Sequence, residues 1–252
     1  VDSEQGTAFL GEAARSEGTR IPVVLELNTG MNRAGVLPGD DTVALAKKID
    51  QIDGVDLCGL MTWESPAAKE PDLEGKKAAS AQMLGSLVDS AEACRAAGLN
   101  MEIITCGGTL TYWYSAFHPG ITEMQAGGGI YGDAMYCHRF GVEHEFALSI
   151  MSTVTSRPTP TRIICDAGKK TMSADVADPI PLGIGSVAEY KQSAEHGILE
   201  LAVASDSPAV GDRLQWIAGY SDTTVVLHNE LVATRDGVVE AVWPLLGRGK
   251  LT

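Results

Sequence analysis

A chain of 252 residues with 33 acidic against 19 basic side chains carries a formal charge of −14. That argues against nucleic acid as a partner, because binding a phosphate backbone needs a basic face. No run of about 18 apolar residues is present, so no membrane-spanning helix is expected. Val1-Asp2-Ser3-Glu4 lacks the basic and apolar regions of a secretory leader. The five cysteines are dispersed with no CxxC spacing, which excludes a disulfide framework and points to a reducing, cytoplasmic compartment.

Residues 23–27 form a short apolar run, as in a parallel strand covered on both faces. Asp40-Asp41-Thr42 supplies N-cap chemistry for a helix reaching Ile49. Residues 55–63 predict the next strand. Residues 72–97, rich in Ala, Leu, Lys, Glu and Met, predict a long helix stopped by Gly98. Residues 101–105 and 123–126 are further strands, the second running into glycines. Repeated strand–helix units imply a parallel sheet. From Glu143 the long helical patterns cease. Residues 146–155, 162–166, 197–203, 212–217, 230–234 and 238–242 read as strands, separated by turn signals such as Val210-Gly211-Asp212 and Asp236-Gly237. The expected architecture is α/β, with a (β/α) portion over residues 1–142 followed by a mostly antiparallel β-domain over residues 143–252.

Three strand ends carry the residue types that ligands need. In Asn28-Thr29-Gly30-Met31-Asn32-Arg33-Ala34-Gly35, the glycines open loop conformations closed to other residues, and Arg33 offers a planar fork for a carboxylate, phosphate or phenolate. A solvent-facing arginine in a βα loop is the plainer role. Cys106-Gly107-Gly108-Thr109 could cradle an anion on backbone N–H groups or could be a tight turn. Gln125-Ala126-Gly127-Gly128-Gly129 would let the backbone approach a ligand closely, and two such strand ends one element apart suit a shared phosphate. In the β-domain, Asp222 and His228 are a candidate metal or acid–base pair, against a turn aspartate and a surface histidine. Glu195-His196-Gly197 lies beside a strand and could face a site. Neither a nucleophile elbow nor a Walker loop is present.

Taken in order, these blocks resemble the D-threonine aldolase and D-serine dehydratase family of pyridoxal-phosphate enzymes. Its members pair an alanine-racemase-type barrel with a C-terminal β-domain. The family's "DTGM-x-R-x-G" loop is similar to residues 28–35, its "GGGT" to residues 106–109, and its "E-L-Q-x-G" to residues 123–127, with Asp133 following. "SRP…DAG-x-K-x-x-S-x-D" is similar to Ser156-Arg157-Pro158, Asp166-Ala167-Gly168, Lys170, Ser173 and Asp175. "EEHG" matches residues 195–197, and the ending Val239-Glu240-Ala241-Val242-Trp243-Pro244 with Arg248-Gly249 resembles the aldolase branch.

The resemblance implies pyridoxal 5′-phosphate, with Arg33 at its phenolic oxygen and Gly107, Gly108, Thr109, Gly127 and Gly128 around its phosphate. It implies a lyase that cleaves D-3-hydroxy amino acids, D-threonine giving glycine and acetaldehyde. Dehydration to ammonia and a keto acid, racemisation, and a silent homologue that only binds a ligand or partner are the other readings. A divalent metal (Mn, Mg or Zn) would sit in the β-domain. Asp222 holds one ligand position, but the family's histidine is Tyr220 here, a poor ligand at neutral pH. A tyrosine usual in the glycine block is Gly129. The Schiff-base lysine of the first barrel strand has no counterpart among this chain's lysines, so no catalytic residue is assigned in this chain. A whole barrel takes roughly 250 residues. The expectation is therefore a partial (β/α)8 barrel completed by an N-terminal segment or companion chain that brings the lysine, working as a homodimer on a small D-amino acid.

Overall fold

The computed structural model describes residues 1–250, and it divides into two compact units, Val1–Gly127 and Gly128–Thr252. The division by packing falls at the glycine run, and residues 128–142 go with the second unit.

The first unit is a four-stranded parallel sheet in the order β1-β2-β3-β4, built from β1 (Ile21–Glu26), β2 (Val55–Met61), β3 (Ile103–Cys106) and β4 (Glu123–Met124). Helices α1 (Glu4–Ser16), α2 (Asp40–Asp50), α3 (Leu73–Ala96) and the single turn α4 (Tyr112–Ser115) alternate with the strands. Leu25, Leu57, Leu60 and Ile104 from the strands, with Leu27 just past β1, meet Ala46, Ile49, Leu84, Leu87 and Ala91 from the helices in one core. Each large apolar side chain so buried contributes about 1.5–3 kcal/mol. Gly59 is required by the strand pairing, since a Cβ there would lie 1.7 Å from the Ile103 carbonyl oxygen.

Helix boundaries mostly follow the sequence. The Asp72 side chain accepts the Gly75 N–H at the start of α3, and Gly98 sits at φ +83 just past its end. Helix α2 departs from expectation: its N-cap is Gly39, with no side-chain cap. Asp40 and Asp41 occupy the first turn, where they favour the helix through its dipole, and Thr42 instead donates to the Leu37 carbonyl at 2.7 Å. Helix α1 was not anticipated, although Ser3 caps it by accepting the Gly6 N–H.

The second unit holds a six-stranded antiparallel sheet, ordered β7-β10-β5-β6-β9-β8, and a separate hairpin. The strands are β5 (Ser149–Ser156), β6 (Arg162–Cys165), β7 (Ile180–Pro181), β8 (Val187–Gln192), β9 (Gly197–Leu201) and β10 (Arg213–Ile217), followed by the short helix α5 (Ser221–Val225) and the hairpin β11 (Glu230–Arg235) with β12 (Val238–Pro244). Its core gathers Ile150, Val154, Ile163, Leu199, Leu214 and Trp216, and the Trp216 indole N–H donates to Ser152 Oγ at 2.8 Å. Asp236 and Gly237, at φ 50 and 77, make the two-residue hairpin turn that the Asp-Gly signal predicts. β7 and β8 were not anticipated: β7 is two residues long, and β8 has an alternation that exposes Glu189 and Lys191.

Candidate functional site

In the first unit the carboxyl ends of all four parallel strands are stitched side by side. Thr62, just past β2, donates its hydroxyl to the Leu27 carbonyl at 2.9 Å and lies 2.7 Å from the Thr29 hydroxyl. Its N–H donates to the Thr105 carbonyl of β3 at 3.2 Å. Gln125, past β4, donates its N–H to the Cys106 carbonyl and its side-chain amide to Thr105 Oγ1, both at 3.0 Å. Strand ends of a parallel α/β sheet are where such folds keep their ligands.

The loop after β1 is tied by Asn28, whose side-chain oxygen accepts the N–H groups of Gly30 and Asn32 at 3.1 and 3.0 Å. Gly35 lies at φ +99, and a Cβ there would stand 2.6 Å from the Asn28 nitrogen. This closure turns Arg33 back over the sheet edge. Its Nη2 is 3.4 Å from Glu26 Oε1, and its guanidinium carbon is 5.3 Å from the centre of the Trp63 ring. Arg33 is thus held by a carboxylate and an aromatic face while its side chain stays about half exposed.

Trp63 connects this loop to the glycine turn after β3. Its indole nitrogen lies 2.7 Å from the point a Gly108 Cβ would occupy, so only glycine fits while the indole stays there. Gly107 adopts φ +89 and gives its N–H to Glu64 Oε2 at 2.9 Å. Thr111 gives its hydroxyl to Glu64 Oε1 at 2.7 Å. The Gly108 carbonyl accepts from the N–H groups of Thr111 and Tyr112. Because C=O and N–H oppose one another across a trans peptide, the Thr109 N–H is aimed away from that turn of helix. Three polar atoms around this turn are buried without a hydrogen-bond partner: Trp63 Nε1, Thr109 Oγ1 and Tyr114 Oη. Each can donate, and an unsatisfied buried donor costs about 1–3 kcal/mol.

The same burial silences other groups. Burial, with Glu64 adding to it, pushes the Cys106 thiol far above its ordinary value, so it is no nucleophile at neutral pH. Burial first, then Glu64, raises the Tyr114 phenol to about 12. Gly127 has open space where a Cβ would be. No lysine lies in β1, β2, β3 or β4.

In the second unit the residues singled out from sequence are engaged with one another. A Cβ on Gly128 would lie 2.8 Å from the Tyr136 ring, so packing of that tyrosine explains this glycine. Asp133 is fully buried and accepts from the Tyr136 N–H, the Ser221 N–H and the Ser221 hydroxyl, each at 2.8 Å. The Tyr220 hydroxyl donates to Asp222 Oδ2 at 2.7 Å, and burial with this bond raises the phenol's pKa strongly. His228 does not pair with Asp222, since its Nε2 meets the Thr171 carbonyl oxygen at 2.8 Å. Among the described residues no group of three or more His, Cys, Asp or Glu side chains could hold a metal ion. His196 forms part of a tight turn, its backbone N–H bonded to Ser193 Oγ, while Glu195 pairs with Lys170. Ser173 and Asp175 line a separate cavity of about 490 Å³, with Lys169, Lys191 and Tyr190.

Sequence reasoning singled out Arg33 and the Gly107–Thr109 segment separately, and it missed Trp63 and Glu64, which join them. The signal was present: an aromatic and an acid stand just past the end of a buried strand, at the end where chemistry collects. Asp133 closes the glycine-rich block in sequence, and the structure adds its role as a three-fold acceptor, which sequence reasoning missed.

Comparison with known proteins matches residues 1–135 to the alanine racemase N-terminal domain family and residues 147–234 to a putative serine dehydratase domain. The chain is 29% identical to a D-threonine aldolase of Arthrobacter sp., covering 99% of this chain and 66% of that one. It is 30% identical to a 3-hydroxy-D-aspartate aldolase of Paracoccus denitrificans, again over 99% of this chain and 66% of the relative. It superposes on the crystal structure of D-threonine aldolase from Filomicrobium marinum with a TM-score of 0.94 at 29% identity, covering 100% of this chain and 69% of that one. The chain thus spans just under two thirds of the length of the curated relatives it matches.

Proposed function

The chain belongs to the alanine racemase N-terminal domain family, and from that premise we propose that it is part of a pyridoxal-phosphate lyase that cleaves D-3-hydroxy amino acids. The observation that carries the reading is the glycine turn after β3. Thr109 Oγ1 and Trp63 Nε1 are donors without acceptors there, the Thr109 N–H points out of the turn, and Arg33 stacks on the same tryptophan. These groups fit an anionic phosphate ester joined to an aromatic ring that bears a phenolic oxygen. Gly107, Gly108, Thr109 and Gly127 would hold the phosphate, and Arg33 would hold the ring oxygen. When bound, the cofactor supplies an electron sink for the pair released at Cα. The residues of this chain bind and orient it: the turn fixes the phosphate, the Arg33–Trp63 stack fixes the ring edge, and the buried Thr62 and Thr105 hydroxyls close the sheet end beneath.

The residues around Asp222 do not fit a divalent ion, because one carboxylate oxygen is occupied by the Tyr220 hydroxyl and no third donor of suitable type joins them among the described residues. A homodimer is part of the proposal. It is supported by the β11–β12 hairpin, where Val232, Val238, Val239, Val242 and Trp243 are each more than half exposed. Unpaired cysteines throughout support a cytoplasmic setting, and no helix among the described residues is long and apolar enough to cross a membrane.

Incubation of the chain, joined by the N-terminal segment or companion chain that would bring the Schiff-base lysine, with D-threonine and pyridoxal 5′-phosphate tests the reading. Glycine and acetaldehyde in equal amounts are expected. Ammonia with a keto acid would mean a dehydratase, L-configured product a racemase, and no turnover with intact cofactor binding a silent homologue.

A further inference from the structure

Glu64 is a fully buried carboxylate, and a carboxylate is expensive to hold away from water. Its two oxygens accept from a backbone N–H and a hydroxyl. Its position explains where the side chain goes. Glu64 precedes the short 3-10 helix Ser65–Lys69, and its own carbonyl accepts the Ala67 N–H. It does not cap that helix with its side chain. The carboxylate reaches from the end of β2 across to the segment after β3 and grips it twice, at Gly107 and at Thr111. Gly108 and Thr109 lie between the two grips. Gly107 is the residue at φ +89, and Thr111 is the residue before α4, so the two points held are those where the chain changes direction.

We propose that Glu64 is a positioning residue that fixes the Gly107–Thr111 turn in the shape that receives a phosphate ester, with the Trp63 indole N–H as an additional donor to the same group. The proposal rests on the reading of this turn as the phosphate cradle. Loss of the grip frees Gly107, whose φ no side chain supports, and the alignment of Thr109 goes with it. Trp63 adds specificity. Its ring holds the Arg33 guanidinium on one side, and its N–H edge abuts Gly108, so phosphate and ring oxygen are measured by one rigid side chain.

The test compares pyridoxal 5′-phosphate with pyridoxal, by tryptophan fluorescence and by equilibrium dialysis, on the protein and on Glu64→Ala, Glu64→Gln, Thr111→Val and Trp63→Phe. Thermal unfolding is recorded for each. In the unaltered protein the phosphate ester binds more tightly than pyridoxal. Glu64→Ala loses about tenfold or more of that preference, with binding of pyridoxal itself unchanged. Thr111→Val, which removes one grip, loses a smaller part, and Glu64→Gln, which keeps one acceptor, lies between. Trp63→Phe keeps the aromatic face and loses a few-fold of the phosphate preference alone. If Glu64→Ala fails to fold, Thr111→Val and Glu64→Gln decide the matter. Retention of the full preference in folded Glu64 and Thr111 variants overturns the proposal while leaving the cradle reading intact. An unaltered protein that binds pyridoxal and its phosphate equally well overturns the cradle reading itself.

Discussion

The glycine turn after β3 and the segment around Asp222 are both polar, both close to glycines, and both drawn from the same family resemblance, yet their hydrogen bonds are arranged in opposite ways. Around the turn, donors outnumber acceptors: Trp63 Nε1, Thr109 Oγ1 and Tyr114 Oη are buried without partners. Around Asp222 the acceptors are filled from within: Asp133 takes three donors, Asp222 takes the Tyr220 hydroxyl, and His228 is bonded to Thr171. Buried polar groups are normally satisfied, so under the proposed function the unsatisfied cluster is read as the place that receives a ligand and the satisfied one as a strut. Polarity and glycine content alone do not separate the two.

The largest effect that would sharpen this contrast is on the strut. Asp133→Ala leaves two N–H groups and a hydroxyl without an acceptor in a fully buried place, and it should destabilise the second unit by roughly 3 kcal/mol or more. Urea unfolding followed by Trp216 fluorescence would show it, while the affinity for a phosphate ester stays unchanged; lost affinity without lost stability would erase the distinction. Next comes Gly108→Ala. The new methyl meets the Trp63 nitrogen at 2.7 Å, so the indole must move. Expected is a loss of about 1–2 kcal/mol in phosphate-ester binding, read by dialysis, with a modest fall in melting temperature.

Arg33→Lys should follow. It keeps the charge but loses the planar stack on Trp63, worth about 0.5–1 kcal/mol at an exposed site, and it should weaken binding of the cofactor's ring more than of inorganic phosphate. The smallest expected effect is at high pH. The Tyr114 phenol is raised from 10 to about 12, so the folded state keeps its proton when the unfolded state loses it. Its contribution is present in full below about pH 10 and is lost as pH rises through about 12. Tyr114→Phe should flatten the decline in stability over that window; an unchanged decline would remove Tyr114 from the buried cluster.

Much of the fold was legible, because parallel strands and long helices announce themselves by apolar runs and caps: Asp72 and Gly98 bracket α3 as expected. Short elements carry too little pattern to read, as with the two-residue β7. Helix α2 shows a different limit: acids at a helix start can serve the dipole from the first turn while glycine occupies the cap. At the site, Arg33 and Gly107–Thr109 were visible as residue types, but which side chain joins them depends on strand order. Trp63 and Glu64 acquire meaning only because β2 lies between β1 and β3. Gly128 shows the converse, a glycine in a ligand-like run that its own Tyr136 explains.

The central claim is that the turn formed by Gly107, Gly108 and Thr109, with Trp63 against it, receives a phosphate ester. Amide and indole chemical shifts followed during titration with pyridoxal 5′-phosphate, and then with inorganic phosphate, test it most directly. Both ligands should move the Gly108 and Thr109 amides and the Trp63 indole N–H, with the Asp133 and Ser221 amides unmoved. Shifts confined to the second unit, or Gly108 and Trp63 resonances indifferent to phosphate, would contradict it.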